Sequence, residues 1–139
     1  MTQEEDLLLK YLCMALPYGV KVLDTAEDLN KICELDSIMT SRKYDKVFVG
    51  LTLPDDAIMT GIEMVKPYLR PMSSMTEEEA TEYANCGNII AISPQNDYLI
   101  PNPKSINWLL ENHFDFMGLI PKGLAIEVTK ENNPYENGL

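Results

Sequence analysis

The chain has 139 residues, enough for one domain that buries roughly two thirds of the surface exposed by its unfolded state. Its composition, 45% hydrophobic and 24% charged, is typical of a globular protein. No apolar run reaches the roughly 18 residues that a membrane span needs. A net charge of −11 argues against direct binding to nucleic acid, which requires a basic surface.

The acidic charge has two interpretations, and composition does not separate them. It can form a solvated surface, or it can mimic nucleic-acid phosphates in the basic groove of a partner. The start of the chain, residues 1–6, is acidic where a signal peptide needs positive charge. The three cysteines, Cys13, Cys33 and Cys86, are widely spaced and predict free thiols. We therefore expect a cytoplasmic protein.

The first predicted element is an amphipathic helix. Thr2 and Glu5 have the spacing of a capping box, in which both side chains satisfy amides of the first helical turn. Pro17 ends the helix, because a residue before proline is driven out of helical geometry. The apolar stripe of this helix consists of Leu7, Leu8, Tyr11, Leu12 and Ala15.

The next segments predict a strand, a second helix and a second strand. Residues 20–23 favour a short strand, and Thr25 caps a short helix that extends to about Leu35. Residues 37–46 are polar and predict a loop, whereas the β-branched and aromatic run 47–53 predicts a strand. Residues 57–65 fit either a helix or a strand; a strand is favoured because a reversal after residue 53 makes a hairpin.

The second half predicts two further helices separated by a hairpin. Thr76 and Glu79 form another capping box for a helix over 77–83. Strands at 89–92 and 97–100 flank a turn. Ser105 is predicted to cap a helix that carries Leu109, Leu110 and His113 and ends by Gly118, and residues 124–128 alternate as a closing strand.

Helices and strands do not alternate regularly, which indicates an α+β fold. We predict a single small domain over residues 1–128, with a short, mainly antiparallel sheet packed against three to four helices. Residues 129–139 are polar, contain Pro134 and Gly138, and are predicted to be a flexible tail.

Histidine-based chemistry would have to use His113, the only histidine. Asp115 is placed to orient its ring, and a cysteine could supply a nucleophile. The stronger interpretation is that His113 packs beside Phe114 at the edge of the core. The loop 118–123 lacks the Ser or Thr that a phosphate-binding loop needs after its lysine. We therefore predict no metal, no cofactor and no catalytic residue.

The segment 66–71 is the one candidate interaction face. Pro67 and Pro71 favour extended geometry at their preceding residues, which places Lys66, Tyr68 and Arg70 on one side. These residues either contact an anionic group on a ligand or partner, or the cations pair with the protein's own acids while Tyr68 packs. A helical turn opened by Pro67 is a further alternative, and it would scatter the face.

Three stretches resemble signatures of a family of small phage-like and mobile-element proteins of gut Bacteroidetes. They are residues 16–22 (LPYGVKV), 66–79 (KPYLRPMSSMTEEE) and 108–127, which contains HFDFMGLIPKGLA. Residues 25–64 do not align. The resemblance implies a bacterial cytoplasm and a phage or prophage origin, and it implies no activity.

These observations predict a non-enzymatic, phage-like accessory protein that acts through its surface on a protein partner. Nucleic-acid binding and membrane association are not expected. The alternative is a small enzyme or ligand-binding domain with a cleft near His113.

Overall fold

A computed structural model describes residues 1–26, 30–87, 89–92 and 99–136, and the side chains of 89–92 and 99–101 are not part of the description. Its helices are α1 (Gln3–Ala15), α2 (Glu77–Asn85) and α3 (Pro103–Glu111). Its strands are β1 (Lys21–Asp24), β2 (Lys31–Ser41), β3 (Lys46–Leu53), β4 (Asp56–Gly61), β5 (Val65–Pro71), β6 (Ile89–Ile92), β7 (Leu99–Pro101), β8 (Phe114–Asp115) and β9 (Ile126–Glu127).

A seven-stranded sheet organises the described part of the chain. Its strands run in the order β4-β3-β2-β1-β5-β8, with β9 also pairing with β5. Strands β1 to β5 are antiparallel, whereas β8 and β9 add to β5 in parallel. The α+β class is therefore consistent with the structure, but the sheet is larger than the short one predicted, and the α-helices number three in the described residues.

One face of the sheet forms the core. Val47, Val49 and Leu51 alternate along β3 and are buried, as expected for a strand with one face against the interior. The buried stripe of α1 contributes to the same core cluster, and so does α3. The largest fully buried side chains are Tyr11, Phe114, Leu12, Leu51, Ile62, Leu69, Leu109 and Leu119.

Residues 31–41 are a strand, which corrects both the predicted helix ending near Leu35 and the predicted loop over 37–46. The loop is reduced to the turn 42–45. A bulge between Leu35 and Ser37 shifts the register of β2 against β3. The buried positions therefore do not keep a strict period of two along the sequence, and the pattern resembles helical spacing.

Several predicted elements are confirmed by the structure. Thr2 caps α1, and Thr76 and Glu79 form the complete capping box of α2. The ambiguous segment after residue 56 begins as the strand β4, in a hairpin with β3. The sequence prediction of strands at 89–92 and 97–100 is met by β6 and β7, although residues 93–98 lie outside the described part of the chain.

The last helix and the last strand differ from the prediction. Asn102, and not Ser105, caps α3, since its side chain accepts the Ser105 N–H at 2.9 Å. The helix stops at Glu111, and His113 adopts a left-handed backbone with φ 61°. The predicted closing strand 124–128 is limited to the two-residue β9.

Residues 129–136 fold back beside β1 and β5, where a flexible tail was predicted. Pro134 is buried. The Tyr135 hydroxyl donates to the Tyr68 carbonyl at 2.8 Å and accepts the Lys21 N–H at 3.0 Å. None of the described helices has the length and apolar character needed to cross a membrane.

Candidate functional site

Strand β5 carries the three residues predicted to form an interaction face. Lys66 is exposed and takes part in no ion pair within the described residues. Tyr68 is only 6% exposed, and Arg70 is half-buried. Alternation along the strand places all three on one side, but only Lys66 offers an open side chain.

Arg70 forms an ion pair with Glu79 of the same chain. Its Nη1 and Nη2 atoms each donate to a carboxylate oxygen of Glu79 at 2.7 Å. Nη2 also donates to the Ser74 carbonyl at 3.3 Å. Such a two-pronged pair fixes geometry as well as charge. Because Glu79 also belongs to the capping box of α2, the pair ties that helix to β5.

The Arg70 guanidinium also lies over an aromatic stack. Its carbon atom is 4.2 Å from the ring centroid of Phe114, a distance at which the cation is attracted to the ring face. Phe114 stacks on Trp108 at 5.5 Å, and Trp108 contacts Tyr83 at 5.6 Å. The stack therefore connects β5 and β8 with α3 and α2.

The ion pair changes the acidity of Glu79. Hydrogen bonding from Arg70 lowers the pKa of the Glu79 carboxyl to about 2, while partial burial opposes this effect. Glu79 is therefore charged throughout the physiological range. A charged carboxylate already matched by a guanidinium is unsuited to accept a catalytic proton near neutral pH.

The second cluster is built around His113 and Tyr135. Their rings stack with centroids 3.8 Å apart and an interplanar angle of 9°. The His113 carbonyl accepts the Arg70 N–H at 2.8 Å, so the two clusters meet at the backbone of β5. Burial lowers the pKa of the His113 imidazole to about 4, and the positive charges of Arg70 and Lys21 lower it further.

Asp115 does not orient the His113 ring through any recorded hydrogen bond. Its two carboxylate oxygens accept the N–H groups of Leu119 and Ile120 at 2.8 and 2.9 Å. The buried Asp115 carboxylate therefore holds the turn over residues 118–123. This is the turn whose sequence resembles a phosphate-binding loop superficially. The arrangement is that of a structural turn.

The cysteines are free thiols, as predicted. Burial raises the pKa of both Cys13 and Cys33, which disfavours the thiolate needed for nucleophilic chemistry. Among the residues that the structure describes, no group of three or more His, Cys, Asp or Glu side chains could hold a metal ion.

Tyr11 is fully buried and its hydroxyl has no hydrogen-bond partner in the described structure. A buried polar group without a partner costs roughly 1–3 kcal/mol. We therefore expect Tyr11→Phe to leave the free energy of unfolding unchanged or to raise it by about 1 kcal/mol. Urea unfolding would measure this change, and a loss of about 1 kcal/mol or more would indicate an ordered partner for the hydroxyl.

Sequence reasoning missed a surface on β2, β3 and β4 whose centre is uncharged. Strand register places its members on the side opposite the buried residues of β3, and we call this surface the open face. Met39 and Met59 are each 54% exposed, and Phe48 is half-buried. The open face consists of Ser37, Met39, Phe48, Gly50, Thr52, Ala57 and Met59. Glu34, opposite Thr52, and Lys46, two residues before Phe48, lie on the same side of the sheet and bound it with charge.

At the centre of the open face, Gly50 leaves room for the Ser37 side chain. A Cβ atom at Gly50 would collide with the Ser37 hydroxyl. Gly50 lies opposite Met59 on β4, and Phe48 lies opposite Met39 on β2. The sequence signal for this face was weak, since the residues become neighbours only when three strands pair in register.

Comparisons with protein-family models, with curated proteins and with solved structures find no match for this chain.

Proposed function

We propose that the protein is a non-enzymatic interaction module that binds a protein partner through the open face. The observation that carries this proposal is the exposure of Met39 and Met59, each 54%, beside Phe48 and Gly50 in the register of the three strands. The charged residues that the register places on the same side, Glu34 and Lys46, lie at the two ends of the face. Contiguous exposed apolar patches commonly mark interaction sites, and strand pairing brings Met39, Phe48 and Met59 to one side of the sheet.

The packing of the sheet supports this proposal. The opposite face of β3 already buries Val47, Val49 and Leu51 against the core, so folding does not require the open face to be covered. Methionine is flexible and polarisable, and it adapts to the shape of an apolar partner. Met39 and Met59 are therefore suited to contact a protein partner, and the fold does not depend on them.

The segment 66–71, which the sequence predicts as an interaction face, is less accessible to a partner than the open face. Arg70 and Tyr68 are engaged within the protein, which leaves Lys66 as an exposed neighbour. The alternative of a catalytic or ligand-binding cleft near His113 has less support, because one side of its ring is covered by Tyr135. The phage-like accessory role remains a prediction from the sequence resemblance.

Capture experiments with substitutions on the open face test the proposal. We expect Met39→Glu and Met59→Glu to reduce capture of a specific partner from a host-cell lysate about tenfold or more, because each buries a charge in an apolar contact. Both positions are exposed, so the free energy of unfolding should change by only about 0.5 kcal/mol.

Ala84→Glu is the matched control. It adds the same charge to an exposed position of α2, away from the open face. Capture should be unaffected by this change. The proposal fails if all three variants retain the partner equally, or if the wild-type protein recovers no specific protein.

A further inference from the structure

Strand β4 is a free edge of the main sheet. It pairs with β3 alone in the described part of the chain. Natural edge strands are commonly protected by proline, by lysine, by a bulge or by shortness. β4 runs for six residues, contains neither proline nor lysine, and keeps an unbroken register from Asp56 to Gly61. The opposite edge, β8, is only two residues long.

The hairpin geometry shows which backbone groups face outward. Leu53 pairs with Asp56 across a two-residue turn, and they form the hydrogen-bonded pair that closes the hairpin. Because hydrogen-bonded and non-hydrogen-bonded pairs alternate along β4, Ala57, Met59 and Gly61 direct their N–H and C=O groups away from β3.

One of these outward groups is already satisfied locally. The Ala57 N–H donates to Asp56 Oδ1 at 2.8 Å. No such bond is recorded for the Met59 and Gly61 N–H groups within the described residues. The edge therefore offers adjacent backbone donors and acceptors beside the apolar open face.

We infer that the partner binds by adding an extended segment to the edge of β4, with alternate apolar side chains packed beside Met59 on the open face. This inference rests on the proposed function and specifies its binding mode. Backbone hydrogen bonds to the edge supply affinity in this mode, and side chains on one face supply selectivity. The open face and the free edge share Met59, so one segment can contact both.

Charge at the two ends of β4 defines the chemistry of the segment. Asp55 and Asp56 lie at its beginning and Glu63 just beyond its end, and none of them forms an ion pair within the described residues. Lys46 lines the same cavity as Glu63, but Glu5 and Asp45 line it too, so acids outnumber cations at this end as well. The segment is therefore apolar in its centre and carries Lys or Arg at its ends.

A second copy of this chain does not meet that requirement. Antiparallel pairing of two β4 strands about their centre would bring Asp55 and Asp56 of one copy close to Glu63 of the other. Each copy also carries a net charge of −11. Like charges in this arrangement oppose association, which favours a different, cationic partner.

A synthetic peptide with alternating valine and threonine between terminal lysines is a suitable probe. We expect it to slow hydrogen exchange at the Met59 and Gly61 amides of the full chain, as measured by NMR. The same peptide with terminal glutamates should bind about tenfold more weakly, because the ends of β4 are acidic. Equal binding of the two peptides would overturn the charge assignment.

Proline substitutions test the edge directly. Met59→Pro removes an outward N–H without removing a hydrogen bond to β3. Gly61→Pro does the same at a residue whose φ of −70° already suits proline, although the Glu63 carboxylate must move aside. Both variants should remain folded by circular dichroism and lose peptide-induced protection, whereas Met59→Val should keep it.

The outcomes separate this inference from the proposed function. If the partner is lost by Met39→Glu but retained by both proline variants, the open face binds and strand addition is wrong. If the lysine-ended peptide leaves exchange at Met59 and Gly61 unchanged at millimolar concentration, strand addition is also wrong. Slow exchange of both amides in the free protein would show that the edge is already covered.

Discussion

Replacement of Arg70 by alanine is expected to lower the free energy of unfolding by about 2–4 kcal/mol. Three interactions disappear together: the paired hydrogen bonds to Glu79, the contact with the Ser74 carbonyl, and the stacking on Phe114. Thermal unfolding should show a melting temperature lower by roughly 6–15 °C. Arg70→Lys should retain part of the stability, since it keeps the charge but loses the planar fork.

The pH dependence gives a second measurement of the same pair. Hydrogen bonding from Arg70 lowers the pKa of Glu79 to about 2 in the folded protein, below the value of about 4.3 expected for an unfolded chain. The pair therefore stabilises the fold fully above about pH 4.3, and this contribution is lost as the pH falls towards 2. We expect the difference in stability between wild type and Arg70→Ala to shrink over that interval.

Lys66→Ala is the matched control for Arg70→Ala. Lys66 lies on the same strand and on the same side, but it is exposed. Its removal should change the free energy of unfolding by no more than about 0.5 kcal/mol. Equal effects of the two substitutions would show that the Arg70–Glu79 pair does not stabilise the fold. A stable Arg70→Ala protein that loses its partner would instead restore the predicted interaction face on β5.

Replacement of Tyr135 by alanine is expected to lower the free energy of unfolding by about 3–5 kcal/mol. The substitution removes the ring that stacks on His113 and leaves the Lys21 N–H and the Tyr68 carbonyl without their partner. Tyr135→Phe keeps the ring and loses only the hydroxyl, so it should lower the free energy of unfolding by about 1–3 kcal/mol. Chemical denaturation of the two variants separates stacking from hydrogen bonding.

His113 reports on the same substitution, and its NMR signal is unambiguous because the chain has one histidine. Burial lowers the pKa of His113 to about 4, whereas an unfolded chain has a value of about 6.5. The unfolded state therefore binds a proton first, and stability falls as the pH decreases from about 6.5 to 4. In Tyr135→Ala the His113 pKa should rise towards its ordinary value. The free energy of unfolding should then depend less on pH between about 6.5 and 4.

Tyr44→Ala provides the comparison for the tyrosine series. Tyr44 is 66% exposed in the turn between β2 and β3, so its removal should alter stability by only about 0.5 kcal/mol. An unchanged His113 pKa in Tyr135→Ala would contradict the assignment of ring burial to Tyr135. A small stability loss in Tyr135→Ala would support the flexible tail predicted from the sequence.

Elements specified by neighbouring residues were predictable from the sequence. The Thr2 cap and the Thr76 capping box act over three residues, and the apolar stripe of α1 repeats with the helical period. The Glu5 carboxylate accepts from the Thr2 hydroxyl, so the reciprocal bond predicted at the first helix is not formed. β2 was not predictable in this way. Its bulge changes the phase of burial between Leu35 and Ile38, and its conformation depends on pairing with both β1 and β3.

The candidate sites depended still more on distant contacts. The sequence allowed Arg70 to pair with an acid of the protein, but it did not identify Glu79 among 22 acidic residues. The partners of Tyr135 lie 67 and 114 positions away. Met39, Phe48 and Met59 become one surface only through the register of three strands.

The hydrogen bond between Lys21 and Tyr135 has a consequence for the order of folding. It closes a loop of 114 residues, and the entropy lost on closing so long a loop opposes early formation of the contact. During synthesis, β1 can pair with β2 long before residue 135 has been added. Docking of Tyr135 is therefore a late event, which joins the end of the chain to β1 and β5 after those strands have paired.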